Sequence, residues 1–359
     1  MTFLKVKRDH LTQVTDLQLP YIHRPKTQEY VGQLLPRMAL KKLVLEQKSS
    51  WFPSSDESGL FFQDIFPKLT ALEDLELNVK CDDRVKGTWV ESILLLPQLR
   101  RLAVNGPLCA QICDHMADAS LTFPSQLESL TLHELHTRSF STEMLRFCTS
   151  LTHLTINMMK ADLKYGLVSP LRHLSWVTIM ARHEIPQFVN SLVSLTQLEV
   201  LSMLYGSGKT NTLLMQYLAP HFHVFSKLHT LDFSLSEICD GVISEFKHLT
   251  GLTSLDLKES TFDQLELATV TPYLCRLSVV NLSRNSPLPA LFFQNFLNCP
   301  DVTALNVSGT AITEDALVAF EEWLKVHGNK LKILDNHSIT GILSANTFQH
   351  LTHVETWNT

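Results

Sequence analysis

One segment of the sequence has the residue types of a phosphate-binding loop. Gly206-Ser-Gly-Lys-Thr210 follows the apolar stretch LEVLSML and precedes NTLLMQYL, which has the apolar spacing of a helix. Backbone N–H groups of glycines and a lysine at the start of a helix can hold phosphates. The full pattern needs a glycine five residues before Gly208, where this sequence has Met203. We therefore expect a surface loop here and keep a nucleotide-binding enzyme as a remote alternative.

Histidine and cysteine are the other residue types that could carry chemistry. His133-Glu-Leu-His136 has the wrong order and spacing for the H-E-x-x-H zinc helix. His221 and His223 could share a metal with His229, but 16 scattered histidines make such pairs expected. The seven cysteines contain no C-x-x-C pair, and no local catalytic triad is visible. We expect no metal, no cofactor and no enzymatic activity.

Composition and charge exclude several classes of protein. The 359 residues are 45% hydrophobic and 18% charged, which indicates a globular chain and not a disordered one. A formal net charge of −6 without a basic stripe argues against a nucleic-acid partner. An odd number of cysteines favours reduced thiols, and thus the cytoplasm or nucleus. No apolar run is long enough for a signal peptide or a membrane span, so we expect no membrane association.

Leucine accounts for 62 of the residues, and its spacing reveals an internal repeat. The pattern L-x-x-L-x-L recurs at intervals averaging about 26 residues, within the range of leucine-rich repeats. In L-x-L both leucines point to one face of a short strand, and the leucine three residues earlier turns inward from the preceding bend. Stacked copies bury a continuous core. We predict one domain over residues 1–359, with about fourteen repeats and atypical terminal ones.

The segments between the strands have room for helices. The best example runs from Thr313 to Gly328, with a threonine suited to the N-cap, acidic residues in the first turn and a glycine at the end. Similar returns are expected over 184–192, 211–222 and 287–297. A strand on one side and a helix on the other predicts an α/β solenoid. Its horseshoe shape would have a concave parallel sheet and convex helices.

Two cysteine-containing segments resemble a known family. Residues 299–317, CPDVTALNVSGTAITEDAL, are similar to the cysteine-containing leucine-rich repeats of F-box proteins and their relatives in the ribonuclease-inhibitor-like superfamily, and CTSLTHLTI from Cys148 is a partial match. The first repeat already occupies residues 11–19, so we expect no F-box. The resemblance implies a protein-recognition function. Two finer versions are substrate recognition for a ubiquitin ligase, perhaps through a separate adaptor, and inhibition of an enzyme.

The outward positions of the strands give a candidate apolar site. With LSWVTI from Leu174 taken as the seventh repeat, Trp176 and Val200 lie side by side on the concave face. Met180 and Leu204 lie near the ends of the same strands, and Tyr205 follows. An exposed tryptophan in an apolar patch is typical of an interface hot spot. The alternative is that Trp176 packs into the core because LSWVTI is a degenerate repeat.

An acidic pair is expected beside this patch. Asp232 and Asp256 occupy equivalent outward positions of neighbouring repeats. The combination favours a partner with an apolar anchor next to a lysine or arginine. We predict a protein-binding site on the concave face formed by Trp176, Met180, Val200, Leu204, Tyr205, Asp232 and Asp256. The insertion over residues 51–59 and the oligomeric state stay open at this point.

Overall fold

The computed structural model describes residues 13–20, 31–46, 63–78, 88–162, 167, 171–177, 184–203, 209–327 and 333–335. The insertion at 51–59 and the end of the sequence lie outside these residues. The chain divides into two compact units, unit 1 over Met1–Leu171 and unit 2 over Arg172–Thr359. Each is described by itself, and the single array expected over 1–359 stays a prediction.

Unit 1 is a stack of parallel strands in sequence order, each paired with the next. Helices and 3-10 turns connect the strands. The strands are β1 Asp16–Pro20, β2 Lys42–Glu46, β3 Asp74–Asn78, β4 Arg101–Asn105, β5 Ser129–Ser141 and β6 His153–Asp162. The helices are α1 Thr88–Leu94 and α2 Pro107–Asp118, with 3-10 turns at Leu35–Arg37, Phe66–Lys68 and Thr142–Leu145.

Unit 2 repeats the same arrangement with shorter strands, again parallel and in sequence order. The strands are β7 His173–Val177, β8 Val200–Ser202, β9 Thr230–Asp232, β10 Ser254–Asp256, β11 Val279–Asn281, β12 Ala304–Asn306 and β13 Ile333–Asp335. The helices are α3 Ile185–Val193, α4 Lys209–Leu218, α5 Gln264–Val270, α6 Ala290–Phe296 and α7 Glu314–His327, with 3-10 turns at Ala219–Val224, Ile243–His248 and Thr271–Tyr273.

The leucines of the repeat form the core, as their spacing predicts. The second leucine of the repeat points inward in β3, β4, β5 and β10: Leu75, Leu102, Leu130 and Leu255 are at most 2% exposed. The leucines that open these repeats are buried as well, and Phe233, directly after β9, takes the third inward position of its repeat. The parallel strands, the helices that connect them and the periodic burial of leucines confirm an α/β leucine-rich repeat solenoid.

The segments between the strands contain the helices that the sequence predicts there. Thr313 Oγ1 accepts the N–H of Ala316 at 3.3 Å, so this threonine caps α7. Phe320 and Leu324 are fully buried, and Trp323 between them is buried too. The return over 211–222 becomes α4 followed by a 3-10 turn, because Pro220 removes an N–H donor.

A ladder of small polar side chains joins successive turns of unit 2. The residues of the ladder lie three positions after the third inward side chain of their repeats. At three of these positions a serine, asparagine or threonine side chain accepts the N–H of the equivalent residue in the preceding repeat. The bonds are Ser236 N–H to Ser260 Oγ at 3.3 Å, Ser260 N–H to Asn285 Oδ1 at 2.7 Å, and Asn285 N–H to Thr310 Oγ1 at 3.1 Å. Because Ser236, Ser260 and Thr310 are buried, the ladder satisfies N–H groups that strand pairing leaves without a partner.

The two cysteines that carry the family resemblance are structural. Cys148 and Cys299 are fully buried, and each occupies a position that other repeats give to an apolar residue. The Cys299 thiol donates to the carbonyl oxygen of Leu274 at 3.4 Å, and the Cys148 thiol donates to that of Phe123 at 3.6 Å. Burial raises the pKa of both thiols to about 12. They act as small core residues and not as nucleophiles.

The ladder predicts a large effect of Asn285→Ala on stability. The Asn285 amide accepts one hydrogen bond and donates two more, to the carbonyl oxygens of Leu257 and Leu282. Its removal leaves buried partners unsatisfied, so we expect a loss of about 3 kcal/mol. Urea unfolding followed by circular dichroism measures this. Asn298→Ala, which removes one exposed hydrogen bond, is the control and should cost less than about 0.5 kcal/mol. Equal losses would contradict the ladder.

Candidate protein-binding surface

Trp176 lies in the core, so its predicted exposure is wrong. The side chain is 2% exposed, and its ring centroid is 4.9 Å from that of Phe188 on α3. In the sheet, Leu174 pairs with Leu201, the second leucine of the next repeat. The seventh repeat therefore begins at Leu171 and reads LRHLSW. Trp176 takes the third inward position, which confirms the alternative of a degenerate repeat.

The shift of frame changes which residue stands beside Val200. His173 occupies that place, and Ser175 lies beside Ser202. Val200 is half-exposed and continues the row to Thr230, as predicted. Met180, Leu204 and Tyr205 lie outside the described residues. The predicted apolar patch depended on an exposed indole, and the buried Trp176 cannot supply one.

Asp232 and Asp256 lie side by side on neighbouring strands, as predicted. Each carboxylate accepts the N–H two residues later, at 3.0 Å for Ser234 and 2.8 Å for Lys258. Each also accepts a side-chain donor from an adjacent strand: Ser202 Oγ donates to Asp232 at 3.0 Å, and Asn281 Nδ2 donates to Asp256 at 2.9 Å. The pair therefore closes the turns that follow β9 and β10.

The environment of Asp256 disfavours its charged form. Burial raises the pKa of this carboxyl, and the negative charge of Asp232 raises it as well. The hydrogen bonds from Lys258 N–H and Asn281 and the charge of Lys258 act in the opposite direction. The net effect is a raised pKa, so a cation placed beside the pair would stabilise both carboxylates.

Among the side chains whose burial the structure describes, nine outward ones on the sheet of unit 2 are accessible, and we call these nine the strand face. They form two rows across five strands and are half-exposed. The first row is His173, Val200, Thr230, Ser254 and Val279; the second is Ser175, Ser202, Asp232 and Asp256. Beyond them Asn281, Ala304 and Asn306 are buried. The strand face therefore ends at β11.

A charged cluster that the sequence did not indicate borders the strand face. Arg172 Nη1 lies 3.3 Å from Glu199 Oε1. The Nε2 atoms of His173 and His229 are each 3.9 Å from Glu199 Oε2. His229 Nδ1 is also 3.1 Å from Thr230 Oγ1. The hydroxyl, imidazole and carboxylate have the composition of a triad, but 3.9 Å is too long for the hydrogen bond that orients a catalytic histidine.

The other motifs acquire structural explanations where the structure describes them. Met203 is 4% exposed and fills a core position, as the repeat predicts. Residues 204–208 lie outside the described part, and Lys209 begins α4. His133 Nε2 is 2.6 Å from Asn157 Nδ2. The His223 ring lies near His248, with centroids 6.2 Å apart.

Two further searches of the described residues are negative. No three metal-ligating side chains among them lie where they could hold an ion. Of the helices that can be described, none has the length and hydrophobicity to cross a bilayer.

Comparison with known proteins finds similarity at the level of fold. No family model matches the sequence, and no curated protein matches it. An internalin of Listeria monocytogenes is similar in structure, with 16% identity, a TM-score of 0.48, and coverage of 91% of this chain and 88% of that one. Internalin C2 of the same organism has 12% identity and a TM-score of 0.39, over 66% and 82% of the chains. The fold assignment rests on the repeat geometry described above.

The buried position of Trp176 predicts that Trp176→Ala destabilises unit 2. Truncation of a buried tryptophan leaves a cavity beside Phe188 and should cost about 3–5 kcal/mol. Urea unfolding followed by near-UV circular dichroism measures this loss. Trp176→Phe keeps an aromatic ring against α3 and should recover more than half of it. Unchanged stability of the alanine variant would contradict the buried position of the indole.

The raised pKa of Asp256 predicts the pH dependence of Asp256→Asn. A raised pKa means that the stability this group contributes is complete at acid pH and is lost as the pH rises through the folded-state pKa. An asparagine avoids that loss and can still accept the turn N–H, as Asn281 and Asn306 do at 3.2 and 3.0 Å. At neutral pH the variant should match or exceed the parent within about 1 kcal/mol. Its advantage should shrink towards about pH 3; an advantage that grows on acidification would contradict the assignment.

Proposed function

We propose that this chain is a non-catalytic recognition protein that binds another protein on the strand face of unit 2. The observation that carries the proposal is an accessible face on a parallel sheet. Parallel sheets are normally covered on both sides by helices. Here the helices connect the strands, while the nine outward side chains of the strand face are half-exposed.

The size and chemistry of the strand face suit a macromolecule. Five neighbouring strands about 4.8 Å apart span roughly 20 Å, which is wider than a helix of about 10 Å. The side chains are short, and their hydroxyls and carboxylates hold one another and the turns. Such a surface offers hydrogen bonds and methyl groups. Its imidazole, His173, lies 3.9 Å from Glu199 Oε2, too far for the hydrogen bond that orients a catalytic histidine, which favours binding over catalysis.

The family resemblance gives two finer versions of this function. A substrate-recognition subunit of a ubiquitin ligase would be captured together with adaptor and cullin subunits. An inhibitor would be captured with one enzyme in equal amounts and would lower its activity. The remote alternative, a nucleotide-binding enzyme using residues 206–210, requires saturable ATP or GTP binding that Lys209→Ala abolishes.

We also propose that the chain acts in a reducing compartment, the cytoplasm or nucleus. Cys113, Cys148 and Cys299 are buried free thiols, and Cys275 is an exposed one. An exposed thiol beside buried, unbridged ones fits a reducing environment.

A photo-crosslinking experiment tests the proposed surface. A benzophenone amino acid replaces Ser254 on the strand face. As a control, the same amino acid replaces Val318, which is 63% exposed on α7. Both chains are irradiated in cell extract, and the adducts are identified by mass spectrometry. We expect a protein adduct from position 254 and none of the same identity from position 318.

Two bulky substitutions then test whether the adduct reports a specific interface. Val279→Trp should lower capture of the same protein at least tenfold, because the indole ring would cover the surface beside Ser254 and block the partner. Val318→Trp should leave capture unchanged. Capture through position 318, or capture that ignores Val279→Trp, would contradict binding on the strand face.

A further inference from the structure

We propose that the strand face takes a basic segment of its partner, in which a lysine or arginine flanked by small apolar residues places its cation on Asp232 and Asp256. This inference rests on the proposed function and names the chemistry of the partner. It depends on three features of unit 2: two adjacent carboxylates without an ion pair among the described residues, the acceptors left on them, and the neighbouring row.

Two other acidic side chains, one on a strand and one directly before a strand, form ion pairs. Asp74 in unit 1 is 3.0 Å from Arg101 and 3.6 Å from Lys42. Glu199 in unit 2 is paired with Arg172. In the described part of the chain, by contrast, no lysine, arginine or histidine forms an ion pair with Asp232 or Asp256. The charge of Lys258 favours the ionised form of Asp256, but no ion pair among the described residues occupies the two carboxylates.

The carboxylates keep acceptor capacity towards solvent. Each oxygen of the pair accepts one protein hydrogen bond, from Ser202, Ser234, Lys258 or Asn281. A carboxylate oxygen has two lone pairs, so each retains one. Neighbouring strands are about 4.8 Å apart, a separation that one ammonium or guanidinium group can bridge with charge-assisted hydrogen bonds.

The first row of the strand face selects what flanks the cation. Val200, Thr230 and Val279 offer methyl groups, and Ser254 stands directly before the Asp256 position on the same face. Two residues along a strand span about 6.7 Å, so an apolar side chain next to the basic residue reaches this row. A long or acidic neighbour would meet the strands or the carboxylates instead.

Charge alone distinguishes the function of the pair from its role in folding. Asn281 and Asn306 occupy the equivalent positions of the next two repeats, and each accepts the same turn hydrogen bond with an amide oxygen. The turn therefore requires a carbonyl oxygen and not a negative charge. Asp232→Asn with Asp256→Asn consequently removes the negative charge of the proposed contact while keeping an amide oxygen for each turn N–H.

The test uses the full chain and peptides selected from a random twelve-residue phage library. Binders that Val279→Trp blocks are synthesised, and their affinities are measured by fluorescence anisotropy. We expect these peptides to contain a lysine or arginine beside small apolar residues. The double Asp→Asn variant should weaken binding at least tenfold. A peptide with glutamine in place of the basic residue should bind parent and variant equally weakly.

A matched control and the failing outcomes separate this inference from the proposed function. Asp315→Asn with Glu322→Gln makes the same change in net charge on exposed positions of α7, and should leave affinity unchanged. Peptides that bind the strand face without a basic residue, or that ignore the double variant, overturn the inference and leave the proposed function standing. Selection that yields no peptide blocked by Val279→Trp overturns both.

Discussion

The burial of leucines between neighbouring repeats is the interaction on which the rest of this structure depends. A single L-x-x-L-x-L unit presents its apolar side chains on one edge and has no second layer of its own to cover them. Leu255 is buried because repeats on both sides of β10 supply that cover. The same requirement aligns the strands in register, and the outward side chains consequently fall into straight rows.

Polar side chains also hold neighbouring repeats together, in addition to the packing of leucines. The turns after the strands contain buried residues whose N–H groups need acceptors, and the ladder through Ser260, Asn285 and Thr310 provides them. On the outward face of the sheet, Asp256 and Asn281 close the turns of their own strands and bond to each other. The ladder and the bond between Asp256 and Asn281 thus join neighbouring repeats, and they add directional contacts to a core that is otherwise held by non-directional packing.

The sequence could predict the repeat because leucine spacing reports burial directly, and Leu75, Leu130 and Leu255 lie where the spacing places them. It misplaced Trp176 because LSWVTI and LRHLSW both fit the pattern locally, and only pairing of Leu174 with Leu201 selects the frame. The position of Asp232 beside Asp256 followed from register alone. Their hydrogen bonds did not, because a periodic pattern says which residues are neighbours and not which donors the turns leave open.

The Asp and Asn positions show how a structural requirement and a functional one can be told apart in a repeat protein. Four successive strands use an Asp or Asn oxygen to accept the N–H two residues later, at Asp232, Asp256, Asn281 and Asn306. The two asparagines are buried and uncharged, while the two aspartates are half-exposed, and burial together with the charge of Asp232 disfavours the charged form of Asp256. The turn hydrogen bond would be served as well by four asparagines. Negative charge therefore occurs where it costs stability and where solvent, or a basic partner, can reach it.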